Sequence, residues 1–298
     1  MPHQKPLGTA CRRLIALSAL LFGINLWISS AMSADLGTER SFSSSDNVRL
    51  HYHDSGSGRA IILIPGWTMP AWIFEHQVRA LNRDFRVIAF DPRSQGNSQV
   101  ALSGHHPDRR AKDIAELIEA IGESSVVLVG WSLGVLDSLA YIQQHGDRRV
   151  AALVLIDNSV GEEPPPESKY DFVGALKKDR NGTTRSFVRA MYKRPQSDRY
   201  YKRLADASLK TPLAAAIELL SYPYPRTYWR DAIYSTARPI LYAVTPAWAE
   251  QGKNLIRKHP SAQLEVFSQA GHALFVDESD RFNRLLGEFL LKIGVKAK

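Results

Sequence analysis

Five short apolar runs, separated by stretches with helical periodicity, constrain this chain more than any other feature. They are Ala60–Ile64, Phe85–Phe90, Val126–Val129, Val150–Ile156 and Pro239–Val244. A strand with one wet face alternates apolar and polar side chains, whereas a strand that is apolar almost throughout has both faces covered. Helical spacing recurs between the runs, at Trp72, Phe74, Val78 and Leu81, at Ala111, Ile114, Leu117, Ile118 and Ile121, and over Ser132–Gln144. Strands and helices in this alternation describe an α/β fold, a mostly parallel sheet with helices on both faces. Val48–His53 alternates as a half-covered strand, and the cluster Asp54–Gly58 turns the chain after it.

The rhythm stops between about Val160 and Ala237. Pro164, Pro165 and Pro166 mark the break, and the stretch beyond reads as helical and rich in Lys, Arg and Tyr. Strand Pro239–Val244, helix Ala249–Lys258, strand Gln263–Phe267 and helix Asp280–Ile293 then resume the pattern. The expected organisation is therefore a core from 35–158 and 239–298, with a helical cap, 159–238, inserted before the penultimate strand. Tyr170, Tyr192, Tyr200, Tyr201, Tyr222, Tyr224, Tyr228 and Trp229 supply that insertion with amphipathic rings, most of them expected to pack its helices.

The first 34 residues read differently. Lys5, Arg12 and Arg13 precede a charge-free apolar run, Leu14–Ile28, and small residues follow from Ser29 to Ala34. That order is the pattern of a secretory signal peptide. Fifteen residues reach only about 22 Å as a helix, short of a roughly 30 Å hydrocarbon core, which favours cleavage over an uncleaved anchor. Export to a bacterial periplasm or the medium is the expectation. Removing the segment lowers the formal charge from +8 to +5, because it carries three bases and no acid. Mixed charges of that size describe a solvated surface, and without zinc-finger or RNA-binding motifs no nucleic-acid partner is expected. The single cysteine, Cys11, excludes an intramolecular disulfide.

Gly130-Trp131-Ser132-Leu133-Gly134 matches G-x-S-x-G and lies between an apolar strand and a helix. Such a turn strains the serine backbone and lifts its hydroxyl above the sheet, with the helix N-terminus behind it facing developing negative charge. A serine hydroxyl is a poor nucleophile until a base takes its proton. His272, on the loop between the last strand and the last helix, is placed to do so. His51 and His53 point to one strand face and are read as surface residues rather than metal ligands, and no H-E-x-x-H motif occurs. No metal and no cofactor are expected.

With these residues in place, the chain resembles the α/β-hydrolase superfamily, in the branch of capped esterases, lactonases and haloperoxidase-like hydrolases. The resemblance runs from about Val48 to the C-terminus. Ile64-Pro65-Gly66-Trp67 resembles the oxyanion-loop segment, Asp91 to Ser98 the D-x-R-G-x-G-x-S loop with Ser94 in place of glycine, and Gly271 to Glu278 the histidine loop. It implies backbone N–H donors at Trp67 and Leu133 for an oxyanion. It also implies an acid in a G-x-x-D segment after Pro239–Val244. This chain instead reads Thr245-Pro246-Ala247-Trp248-Ala249-Glu250 there, with no aspartate. Two carboxylates keep the order serine, acid, histidine: Asp157 at the end of Val150–Ile156, and Glu250, with Asp157 favoured. Asp91 and Arg93 are read as loop-stabilising residues.

The leading expectation is a cofactor-free serine hydrolase that cleaves a small-molecule carboxylic ester, thioester or lactone through an acyl-serine. Perhydrolysis by a haloperoxidase-like reaction is a second use of the same residues. The rival class is a silent binding protein that keeps the fold, motivated by the missing acid segment.

Overall fold

The computed structural model describes residues 36–166 and 170–295, so the N-terminal segment read as a signal peptide lies outside the described residues. The strands are β1 (Thr38–Ser43), β2 (Arg49–Ser55), β3 (Ala60–Ile64), β4 (Arg86–Asp91), β5 (Val126–Trp131), β6 (Val150–Ile156), β7 (Ile240–Val244) and β8 (Ala262–Val266). They form one sheet in the order β1-β2-β4-β3-β5-β6-β7-β8. β2 runs antiparallel to both β1 and β4, and the other neighbours are parallel. Every residue of β3 and β5 is buried, as their unbroken apolar sequences require.

Around the sheet lie α1 (Glu75–Leu81), α2 (Pro107–Ala120) and α3 (Leu133–His145), then α9 (Ala249–Lys258), α10 (Leu274–Asp277) and α11 (Ser279–Lys292). Between β6 and β7 come α4 (Phe172–Lys178), α5 (Arg180–Ala190), α6 (Asp198–Leu209), α7 (Leu213–Glu218) and α8 (Thr227–Ser235). Two apolar layers result. Leu117, Ile118, Leu139 and Ile233 pack on one side of the sheet, and Val78, Leu81, Phe275 and Leu286 on the other. The stretch between β6 and β7 is helical as expected, but in short pieces. Pro195, Pro212, Pro223 and Pro225 fall in its connections, where the missing amide N–H costs no helical hydrogen bond. Among the described residues, no helix is long and apolar enough to cross a membrane.

One strand has no counterpart in the sequence reading. β1, Thr-Glu-Arg-Ser-Phe-Ser, is exposed along most of its length and pairs with β2 from Thr38↔Asp54 to Ser43↔Arg49. An edge strand exposed in this way leaves no apolar alternation to detect; backbone pairing holds it to the sheet, with Phe42 packed on Tyr52 and Arg40 paired to Asp54.

Arg93 and Asp91 are structural, as read. The Arg93 side chain is fully buried and donates to both carboxylate oxygens of Asp113 (2.6 and 2.8 Å) and to Asp46 (3.0 and 3.3 Å). It ties the loop after β4 to α2 and to the turn between β1 and β2. Arg93→Met would leave Asp113 buried with only Arg109 as its cation. Removing one partner of a buried ion pair costs about 3–5 kcal/mol. A urea titration of that variant should show a loss near the lower end of this range, since Arg109 remains.

Candidate active site

The junction between β5 and α3 allows little freedom. A Cβ on Gly130 would collide with the Gly134 carbonyl, and one on Gly134 with the Ile64 carbonyl, so strand, helix and β3 meet almost backbone to backbone. Ser132, the residue that turns the corner, has φ 54° and ψ −118°. Such a conformation costs an L-residue of order 1–3 kcal/mol and persists only where surrounding structure imposes it. Asn158 Nδ2 donates to the Ser132 carbonyl at 2.8 Å, and the Val135 amide donates to it at 2.9 Å. The phenol of Tyr242, its pKa pushed well up by burial, donates in turn to the Asn158 carbonyl at 2.7 Å.

His272 reaches this serine from a loop 140 residues later. Its Nε2 lies 2.9 Å from Ser132 Oγ, and its Nδ1 lies 2.8 Å from Asp157 Oδ2. A carboxylate only accepts, so Nδ1 carries the ring proton and Nε2 presents a lone pair to the serine hydroxyl. Asp157 follows β6 with φ 48° and is buried. Its second oxygen accepts from the Thr245 amide (2.7 Å) and from Thr245 Oγ1 (2.8 Å). Thr245 directly follows β7, in the segment where the resemblance led one to expect an acid. Here that segment supplies two donors to an acid on the neighbouring strand.

Glu250, the other candidate acid, stands exposed on α9 and pairs with Lys253 at 2.7 Å. The structure brings Asp157 to His272 and leaves Glu250 outside the group.

The histidine loop is held by several contacts. Trp131 Nε1 donates to the His272 carbonyl at 2.8 Å, and the Ala273 amide donates to the Met191 carbonyl at 2.9 Å. Asp277 Oδ2 accepts from the amides of Gly271 (2.8 Å) and Lys193 (2.7 Å). A Cβ on Gly271 would meet the Met191 carbonyl at 2.6 Å, so the loop lies flush against the chain leaving α5. The His272 side chain remains 29% exposed.

Leu133 directly follows the serine, and Trp67 follows Gly66, which approaches it from the loop after β3. Leu133 opens α3, where the first amides have no intrahelical acceptor. Neither its amide nor that of Trp67 has a hydrogen-bond acceptor among the described residues. A Cβ on Gly66 would lie 2.9 Å from Ser132 Cβ, which places the loop after β3 directly beside the serine. Buried Gln95 shapes that loop: its Oε1 accepts from the Thr68 amide at 2.8 Å, and its Nε2 donates to the carbonyls of Gly66 (3.2 Å) and Met69 (3.1 Å). The indole of Trp67 faces the helical insertion. It donates to the Ala216 carbonyl at 2.7 Å and packs edge-on against Phe172 and Phe187.

Sequence reasoning missed Thr245, Gln95 and the bridging part of Asp277. All three lie within or beside the motif segments, but each acts through a side chain that reaches a backbone or carboxylate fixed only by the fold.

If the Asp157–His272 contact orients the imidazole, Asp157→Asn should lower kcat by roughly 10³–10⁴-fold, by favouring the wrong tautomer. Thr245→Val, which removes one of two donors, should lower it several-fold, and Glu250→Gln should leave it unchanged. Steady-state kinetics on the three folded variants with an activated ester checks all three.

A family model described as alpha/beta hydrolase fold matches residues 59–279. A non-heme haloperoxidase of Rhodococcus erythropolis is 38% identical over 122 residues, 41% of this chain and 43% of that protein. A pimeloyl-[acyl-carrier protein] methyl ester esterase of Vibrio atlanticus is 28% identical over 267 residues, 82% of this chain and 98% of its own. Among solved structures, an esterase from Exiguobacterium antarcticum superposes with a TM-score of 0.73 at 23% identity, covering 85% of this chain and 99% of the other. With a family match over most of its length, on a sheet of the same design, this chain belongs to the α/β-hydrolase family.

Proposed function

We propose that this hydrolase cleaves a carboxylic ester, thioester or lactone by a two-step mechanism through an acyl-serine. The contact chain Ser132 Oγ to His272 Nε2, His272 Nδ1 to Asp157, and Asp157 to Thr245 supports this reading above all else. In the first step Ser132 Oγ bonds to the acyl carbon while its proton passes to His272 Nε2. The carbonyl oxygen becomes an oxyanion facing the free amides of Leu133 and Trp67, and Asp157 stabilises the imidazolium without taking its proton. Collapse breaks the bond to the alcohol or thiol, which leaves with the proton from His272. Water then attacks the acyl-serine, His272 accepts its proton, and collapse returns that proton to Ser132 as the carboxylic acid departs.

Hydrogen peroxide in place of that water would give a peracid from the same intermediate. The 38% identity to a non-heme haloperoxidase favours perhydrolysis as a second reaction of this site. A silent binding role has less support, since three separate segments converge on one serine hydroxyl with free amides beside it. We further take the five helices α4–α8 as a cap, on the strength of the Trp67–Ala216 and Asp277–Lys193 contacts that join insertion and site. The charge pattern of residues 1–34 supports export, a proposal checked by the N-terminus of the protein recovered from culture fluid or periplasm.

Hydrolysis of p-nitrophenyl esters of graded acyl length should be measurable and fall by at least about 10³-fold in Ser132→Ala. A phosphonate probe should label the parent protein at Ser132. Absence of both turnover and labelling in folded protein would reject the hydrolytic reading in favour of a binding protein.

A further inference from the structure

The β1–β2 edge of the sheet holds a group of side chains that the hydrolytic reading does not use. His51 and His53 lie two residues apart on β2 and so share a face. β1 places Glu39 directly opposite His53, and β4 places Asp91 directly opposite His51. One ligating atom from each of Glu39, His51 and His53 falls within 4.8 Å of the other two. His51 Nε2 stands 3.9 Å from Glu39 Oε2. The imidazoles meet edge to face with centroids 4.9 Å apart.

Two of the nitrogens pose a question that packing alone does not answer. His51 is 5% exposed, and its Nδ1 lies 2.8 Å from Asp91 Oδ2. The carboxylate can only accept, so Nδ1 holds the proton and the lone pair sits on Nε2. That Nε2 is buried without a hydrogen-bond partner, and so is Nδ1 of His53. Leaving buried polar atoms unsatisfied is unfavourable, and native proteins avoid it. Asp91 is itself rigid, since it also accepts from the amides of Ala71 (2.6 Å) and Asn97 (3.0 Å). A carboxylate fixing one nitrogen of an imidazole so that the other faces outward is the arrangement that orients metal-ligating histidines.

We propose that Glu39, His51 and His53 bind a divalent first-row transition-metal ion, with Asp91 orienting His51. Two imidazoles and one carboxylate suit zinc and its neighbours, with a further coordination position left to water. Zinc bonds of about 2.0–2.2 Å put tetrahedral ligands roughly 3.3 Å apart, so the 3.9 Å separation of His51 and Glu39 must shorten by roughly 0.6 Å and a pair at the 4.8 Å limit by about 1.5 Å. Glu39 can supply its share of that movement because its side chain is 68% exposed. The bound ion would clamp the exposed strand β1 to β2, and through Asp91 to β4.

The test uses the full chain without a histidine tag, stripped with a chelator and titrated with Zn²⁺ against a chromophoric competitor. One equivalent should bind with a Kd of roughly 10 µM or tighter, and saturation should raise Tm by about 2–4 °C. Glu39→Gln should weaken binding at least about tenfold and His53→Ala by about 100-fold, each abolishing the Tm rise. Co²⁺ should give a visible absorption band in the parent protein alone. Glu39 is exposed on an edge strand, so its variant keeps the test open should His53→Ala fail to fold. Absence of a saturable equivalent up to 100 µM Zn²⁺ (roughly ten times that Kd), or one whose affinity Glu39→Gln leaves unchanged, would overturn the proposal.

Discussion

The close approach of β5, α3 and β3 at Gly130 and Gly134 is the constraint on which the rest of the site is built. With no side chain at either glycine, the three backbones close to a separation that any Cβ would prevent. The residue between them must then turn through left-handed φ, and that residue is Ser132. Its hydroxyl consequently stands clear of the sheet, the first amides of α3 point past it, and the loop after β3 is pressed to its side. None of these consequences depends on the identity of a substrate. They arise from how closely a helix can pack on a strand, and the strain at Ser132 is sustained by the buried sheet on which it rests.

The carboxylate that meets His272 follows β6 rather than β7, and the sheet makes the two positions close neighbours. The ends of β6 and β7 are neighbours in the sheet, with Ile156 paired to Ala243, so a carboxylate following either strand is close to the same point in space. When the carboxylate sits on Asp157, the residue after β7 is free to serve it, and Thr245 does so with both its amide and its hydroxyl. Those donors fix the oxygen that His272 does not use. The left-handed backbone of Asp157 shows that this end of β6, like the serine corner, is shaped by its surroundings.

Local pattern carried the parts of the chain whose chemistry is local. Ser132 stood between an apolar strand and a helix, and His272 between the last strand and the last helix, so a few residues of context were enough for each. The choice between Asp157 and Glu250 was different in kind. It turned on which of two elements neighbours the histidine loop, a fact of sheet order, with Asp157 lying 115 residues from His272 in the chain. Gln95 was obscured for a similar reason: it occupies a variable position of a recognisable loop, and its work is done on the backbone of another loop. β1 was invisible because strand detection relies on burial, and an exposed edge has none. With β1 unread, Glu39 had no reason to be associated with His51 and His53, and His51, read as a surface residue, is buried beneath that strand's edge pairing.

Asp277 couples the histidine loop to the chain that leaves α5. One carboxylate holds the amide beside His272 and the amides of Lys193 and Arg194 in the insertion. The insertion is therefore part of the mounting of the imidazole and not only a cover that could be exchanged at will. Chimaeras that graft the five helices of a relative onto this core would have to carry over the Met191–Arg194 segment to keep the histidine in register.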